Sequence, residues 1–251
     1  MSYKICQVIF STNRLEYLKK TLHAQRNLNF YGCEVHKIFI DDYPKTRNDP
    51  MITDLVKLYS YEEIILHPDN LGLSVTWSEF WDLIKDRDYD YVWHQEDDVE
   101  ILEPVLITDL IEILERDQTI SQVQLARQAW YSNETEPESA PDDLIYKNFR
   151  YAKNSLIFSP MASLYPLRLT KFPYRHYYDF NLNEGLVGRT LHEHLGLVSA
   201  NVKNYYGKNI IKHIGDWFVG KRVLPNEPNY EAFERYNPDT KYNSKDGSEY
   251  K

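Results

Sequence analysis

The chain has 251 residues, 42% hydrophobic and 27% charged, with 29 Lys plus Arg against 38 Asp plus Glu for a net charge of −9. That length suits one large domain, or one domain with an appended lobe. The acidic balance, with no block of basic residues, disfavours direct nucleic-acid binding. Cys6 and Cys33 are too few for a disulfide framework and lack a metal-knuckle spacing. The N-terminal apolar run is shorter than a signal-peptide core, and no window approaches the ~20 apolar residues of a transmembrane span, so the expectation is a soluble, cytoplasmic protein.

From residue 4 to about 127, short apolar runs alternate with segments of helical spacing, the pattern of an α/β domain with a mostly parallel central sheet. KICQVIF (4–10) predicts a buried strand. STNRLEYLKKTLHAQ follows as a helix, with Leu15, Leu18 and Leu22 at helical spacing and Ser11, Thr12 or Asn13 as its cap. EVHKIFIDD (34–42) predicts a strand running into Asp41 and Asp42, and EEIILH (62–67) a third strand. Trp77, Phe80, Trp81 and Ile84 recur at helical spacing and read as core rather than a ligand box. DYDYVWHQ (88–95) is a fourth strand, on which His94 alternates with Trp93 and reads as structural. EPVLITDLIEILERD then predicts a helix with Pro104 in its first turn, and SQVQLAR (121–127) a fifth strand.

The character changes after Arg127. AWYSNETEPESAPDD (129–143) reads as a surface loop, and LIYKNFRY and NSLIFSP as short strands. NLNEGLVGRTLHEHLGLVSA predicts a helix that ends near Gly196 and passes into a strand. The next segment carries His213 on a loop before Gly215. From Pro225 onward the chain is polar and poor in aliphatics, a tail that wraps the surface or frays.

Glu96, Asp97 and Asp98 stand directly after the fourth strand. Adjacent carboxylates repel one another, so such a cluster stays ionised most readily against a divalent cation or several donors. Hard oxygen ligands favour magnesium or manganese, ions that commonly hold phosphate-bearing substrates. Ligands of open α/β sheets bind beyond the carboxyl ends of the strands. Three polar groups occupy that edge: Ser11-Thr12-Asn13-Arg14, Asp41-Asp42, and Glu96-Asp97-Asp98. Each alone is ordinary turn chemistry, but together they mark a site. Neither G-x-G-x-x-G after the first strand nor G-x-x-x-x-G-K-[ST] occurs, which disfavours a dinucleotide fold and a P-loop.

The succession STNRLEYLKKTL, IFIDD, HPDNLGLSVTW and YVWHQEDDVEI resembles the nucleotide-sugar-binding half of family 2 glycosyltransferases. The resemblance implies a GT-A, Rossmann-like fold with residues 1–127 as the nucleotide-sugar-binding half. Residues 128–224 would form the acceptor-binding half of the same domain, and 225–251 the polar tail. It further implies that Thr12, Arg14, and Asp41 or Asp42 hold the base and that Asn70 lies near the nucleotide sugar. The acidic triplet looks like the family's DXD motif, with Glu96 and Asp97 at ribose or metal-bound water and Asp98 on Mn2+ or Mg2+. Glu stands at 96 where the family has Asp. His213 would complete the metal site, and Glu184, with Glu193 competing, would take the acceptor's proton. His192 and His194 do not share a helix face. The expected function is inverting transfer of a sugar from a UDP-sugar or similar donor to a glycan or other hydroxyl acceptor. A non-catalytic sugar-binding protein of the same fold and a nucleotidyltransferase are the alternatives.

Overall fold

The computed structural model describes residues 2–43, 50–126, 144–155, 158–159, 161–171 and 184–215. The polar loop at 129–143, the aromatic segment YRHYYDF (174–180) and the tail from 225 lie outside them. In chain order, β1 (Tyr3–Ser11) leads into α1 (Leu15–Ala24), then the two-residue β2 (Leu28–Asn29) and β3 (Cys33–Asp41). Helix α2 (Pro50–Leu58), β4 (Glu63–Leu66), α3 (Leu73–Ile84) and β5 (Tyr91–Glu96) complete the first half. Then come β6 (Val99–Ile101), β7 (Val105–Leu106), α4 (Ile107–Arg116) and β8 (Ile120–Leu125). The hairpin β9 (Leu144–Tyr146) and β10 (Phe149–Ser155) precedes β11 (Ala162–Pro166), α5 (Glu184–Leu195), β12 (Val198–Asn204) and β13 (Ile211–His213).

One mixed sheet of nine strands, ordered β4-β3-β1-β5-β11-β8-β12-β10-β9, runs through the described residues. Strands β4, β3, β1 and β5 are parallel, whereas β11 enters antiparallel between β5 and β8. Both halves of the sequence therefore share one sheet. Central β1 and β5 are covered on both faces and buried along most of their length, which is why β1 reads as a largely apolar run rather than an alternating one. Trp77, Phe80, Trp81 and Ile84 of α3 are buried against Val8, Phe10 and Val92, the core role expected of them. Helix α5 ends where Gly196, in the left-handed region at φ +67°, donates its N–H to the carbonyl of His192 at 2.8 Å.

Three local expectations are corrected. Helix α1 begins after Arg14 with no side-chain cap, because the preceding loop is engaged by the acidic residues described below. Helix α4 starts at Ile107 rather than around Pro104, since Val105 and Leu106 form a short parallel ladder with Leu28 and Asn29. The segment NSLIFSP forms no strand of its own among its described residues. Its start finishes β10, and the strand filling the sheet is β11 at Ala162–Pro166. Helix α2, unforeseen from the sequence, docks Ile52 and Val56 one turn apart beside Phe39 and Leu22.

Candidate metal and nucleotide site

Parallel pairing sets Ser11 opposite Asp41 and Phe10 opposite Glu96. The loops after β1, β3 and β5 thus leave the sheet at one edge, on both sides of β1, where strand order reverses and α/β folds open a crevice. The three polar groups of the sequence converge there.

The turn after β5 is clamped from beneath. Asp97 donates its N–H to the Phe10 carbonyl at 3.0 Å. The Thr21 hydroxyl, fully buried on α1, donates to the Asp97 carbonyl at 2.7 Å and accepts the N–H of Val99 at 3.1 Å. The Gln95 amide donates to the Val99 carbonyl at 3.0 Å. Thr21 was missed as a site residue; its signal is a hydroxyl on the helix face that carries Leu18 and Leu22.

His213 reaches this turn through a short antiparallel ladder in which β13 pairs with β6 and His213 stands opposite Val99. The adjacent Ile214 N–H donates to the Asp98 carbonyl at 2.8 Å. His213 Nε2 lies 3.4 Å from Asp98 Oδ1, and one ligand atom each from Glu96, Asp98 and His213 fall within 4.8 Å of one another. Asp98 Oδ1 is buried and accepts no hydrogen bond, a costly state for a carboxylate oxygen that a cation would relieve. Two carboxylates and an imidazole suit manganese well and magnesium acceptably, so the residues fit a divalent ion. Gly215 closes the far side, where an added Cβ would sit 2.1 Å from Asp98 Oδ2. The sequence placed this glycine beside His213 without assigning it a role.

Arg14 lies in the acidic cluster rather than apart from it. Its two terminal nitrogens pair with different residues, one with Asp97 Oδ1 and the other with Asp98 Oδ2. Burial pushes the Asp97 carboxyl up to about 6, against the pull of Arg14. Burial acts on Asp98 in the same direction, but Arg14 and His213 outweigh it and hold that carboxyl below its ordinary range.

The flanking aspartates shape loops. Asp41 is fully buried; its Oδ2 accepts the N–H of Asn13 at 2.9 Å, and its Oδ1 accepts that of Tyr43 at 2.9 Å. Asn13 is thereby held at φ +60°, a left-handed conformation that asparagine tolerates better than most residues. Thr12 donates its N–H to Asp97 Oδ2 at 3.3 Å. Asp42 Oδ1 accepts the Leu71 N–H at 2.8 Å and faces His67 Nδ1 at 3.0 Å, while its Oδ2 accepts the Gly72 N–H at 2.6 Å. These bonds draw half-buried Asn70 and its neighbours to the end of β3.

Glu184 opens α5, but its side chain lies outside the described residues. Glu193, His192 and His194 are exposed near the end of the same helix. His94 is fully buried in contact with Phe10 and Trp77, and burial lowers its pKa to about 3. It is a neutral core residue, as its place on the strand implied.

No protein-family profile and no curated protein sequence matches the chain. Solved structures do. S. aureus TarS 1-349 in complex with UDP-GlcNAc superposes with a TM-score of 0.54 at 13% identity, covering 93% of this chain and 65% of that one. Mannosyltransferase PcManGT from Pyrobaculum calidifontis, in complex with GDP-Man and Mn2+, gives a TM-score of 0.52 at 11% identity, covering 74% and 51%. GalNAc-T7 with UDP, GalNAc and Mn2+ gives 0.58 at 11% identity, covering 93% and 48%. The chain thus has a GT-A-like glycosyltransferase fold, and it spans less than two thirds of the length of each of these proteins. Among the described residues no helix is long and apolar enough to cross a membrane.

Proposed function

We propose that this protein is a metal-dependent glycosyltransferase that moves a sugar from a nucleoside-diphosphate donor, UDP-sugar foremost, to a hydroxyl acceptor with inversion. The observation that carries the reading is the convergence of Glu96, Asp98 and His213 at the carboxyl edge of the parallel strands. The likeness in fold to proteins solved with UDP-GlcNAc, with GDP-Man and Mn2+, and with UDP, GalNAc and Mn2+ supports it.

Asp98 and His213, joined by Glu96, would hold Mn2+ or Mg2+. When bound, such an ion neutralises the charge that builds on a departing nucleoside diphosphate. Asp97, fully buried and fixed by Arg14 and the Thr12 N–H, orients its neighbour and would serve the ribose side through the loop it holds. Thr12, Asp41 and Asp42 frame the base. Because Asp41 is fully buried, it does so through the loop it pins, whereas Asp42 sets the course of the Asn70 segment against the nucleotide sugar. Glu184 would accept the acceptor's proton, a role that a carboxylate can fill.

The test is turnover of UDP-, GDP- and dTDP-sugars with and without Mn2+, comparing the native protein with Asp98→Ala. Metal-dependent release of nucleoside diphosphate that the variant loses is the expected result. Equal activity of the variant would refute the metal assignment, and donor binding without turnover on any acceptor would leave a sugar-binding protein.

A further inference from the structure

The guanidinium of Arg14 is placed against the same carboxylates that the metal reading needs. Its two terminal nitrogens bridge Asp97 and Asp98, each of which is buried. Asp98 is consequently divided, with Oδ2 turned to Arg14 and Oδ1 turned to His213, 3.4 Å away. The scaffold under Arg14 is specific. Asn13 takes a left-handed backbone, its N–H held by Asp41, and the carbonyl of Arg14 accepts the first helical bond of α1 from Leu18 at 2.8 Å. A planar fork with fixed donors suits a bridge between two neighbouring carboxylates, which a lysine ammonium cannot span in the same way.

We propose that Arg14 is a positioning residue that acts as a tethered counter-cation of the metal site. It occupies Asp98 Oδ2, leaving Oδ1 on the side of His213, and through its charge sets how tightly a bare divalent ion binds. The idea rests on the proposed metal site and goes beyond it. With Glu96, Asp97 and Asp98 ionised, the cluster carries three negative charges, and Arg14 removes one. Its positive charge repels an incoming cation and attracts a diphosphate, so metal and nucleotide favour one another's binding. Without Arg14, two buried acids lose their partner and must find one, which makes the fold itself dependent on metal.

The test uses the full chain and its Arg14→Gln and Arg14→Lys variants, with Asp98→Asn as the metal-site control. Mn2+ binding is followed by the loss of the free-ion EPR signal, without nucleotide and with UDP, and melting is recorded in EDTA and in Mn2+. In Arg14→Gln, Mn2+ alone should bind about tenfold more tightly than in the native protein. The same variant should gain less on adding UDP, and its melting temperature should fall in EDTA and recover in Mn2+. Arg14→Lys, which keeps the charge but loses the fork, should bind Mn2+ alone no more tightly than the native protein. Unchanged or weaker Mn2+ binding by Arg14→Gln, or a fall in melting temperature that Mn2+ does not reverse, would overturn the proposal. If Arg14→Gln cannot be obtained folded even in Mn2+, tighter Mn2+ binding by Arg14→Lys than by the native protein, despite the kept charge, overturns it as well. These outcomes remain separable from failure of the metal site, in which the native protein and Asp98→Asn bind Mn2+ alike or not at all.

Discussion

Replacing Gly215 with alanine introduces a single methyl group, yet its Cβ would lie 2.1 Å from Asp98 Oδ2, 2.9 Å from Cγ and 3.0 Å from Cβ of the same residue. The nearest of these is more than an ångström inside ordinary contact. Asp98 has little room to yield: its carbonyl is tied to Ile214, Arg14 holds Oδ2, and its side chain is buried. The carboxylate must turn or the strand bearing His213 must retreat, and either movement separates donors that now lie 3.4 Å apart. Overpacking a tight site costs about 1 to 3 kcal/mol, and disturbing the support of a metal ligand weakens binding by about 10- to 100-fold. Calorimetric melting of Gly215→Ala, together with Mn2+ titration in the presence of UDP, measures both effects. Native melting temperature and native Mn2+ affinity in the variant would refute the packing of Gly215 on Asp98.

Other consequences are independent of the metal. Asn13→Ala should lose about 1 kcal/mol in urea unfolding, because alanine resists the left-handed region, while Asn13→Gly should lose far less; equal losses would contradict the φ of +60°. The hydrogen bond to Asp42 raises the pKa of His67 against the effect of burial. Its contribution to stability is therefore complete below the unfolded imidazole's pKa of about 6.5 and fades as pH rises through the higher folded value. In Asp42→Asn that loss on raising the pH should shrink, and NMR titration of His67 should show its pKa falling; an unmoved titration would count against the pair. His94 has the opposite sign: its folded pKa is depressed to about 3, so its neutral burial destabilises the protein as pH falls below the unfolded value, by about 1.4 kcal/mol per unit. His94→Phe should flatten the stability curve on the acid side, and an unaltered slope would show that His94 is not the group responsible.

Much of the architecture of the first half was legible because its strands carry buried apolar stretches, and because β1, β3 and β5 each end in the polar residues that mark a strand's carboxyl edge. The core stripe of α3 followed from spacing alone. What brings His213 to the acidic turn was not legible: β6 and β13 have three residues each, too few to show a period, and their pairing joins positions distant in sequence. The resemblance supplied His213, not its path. The partner of Arg14 was likewise hidden, since a residue after β1 can point to the base or across to the turn after β5, and local sequence does not choose. Thr21 and Gly215 act through buried contacts that become visible only when α1 and the segment after β13 are in place.

In the proposed site Glu96, Asp98 and His213 grip one divalent ion against a nucleoside diphosphate. Crystals grown with UDP and Mn2+, measured at the manganese absorption edge, test it most directly. An anomalous peak in coordination contact with Asp98 and His213 and with the diphosphate is the expected result. A well-ordered UDP beside those residues with no such peak, or a manganese bound elsewhere, would contradict it.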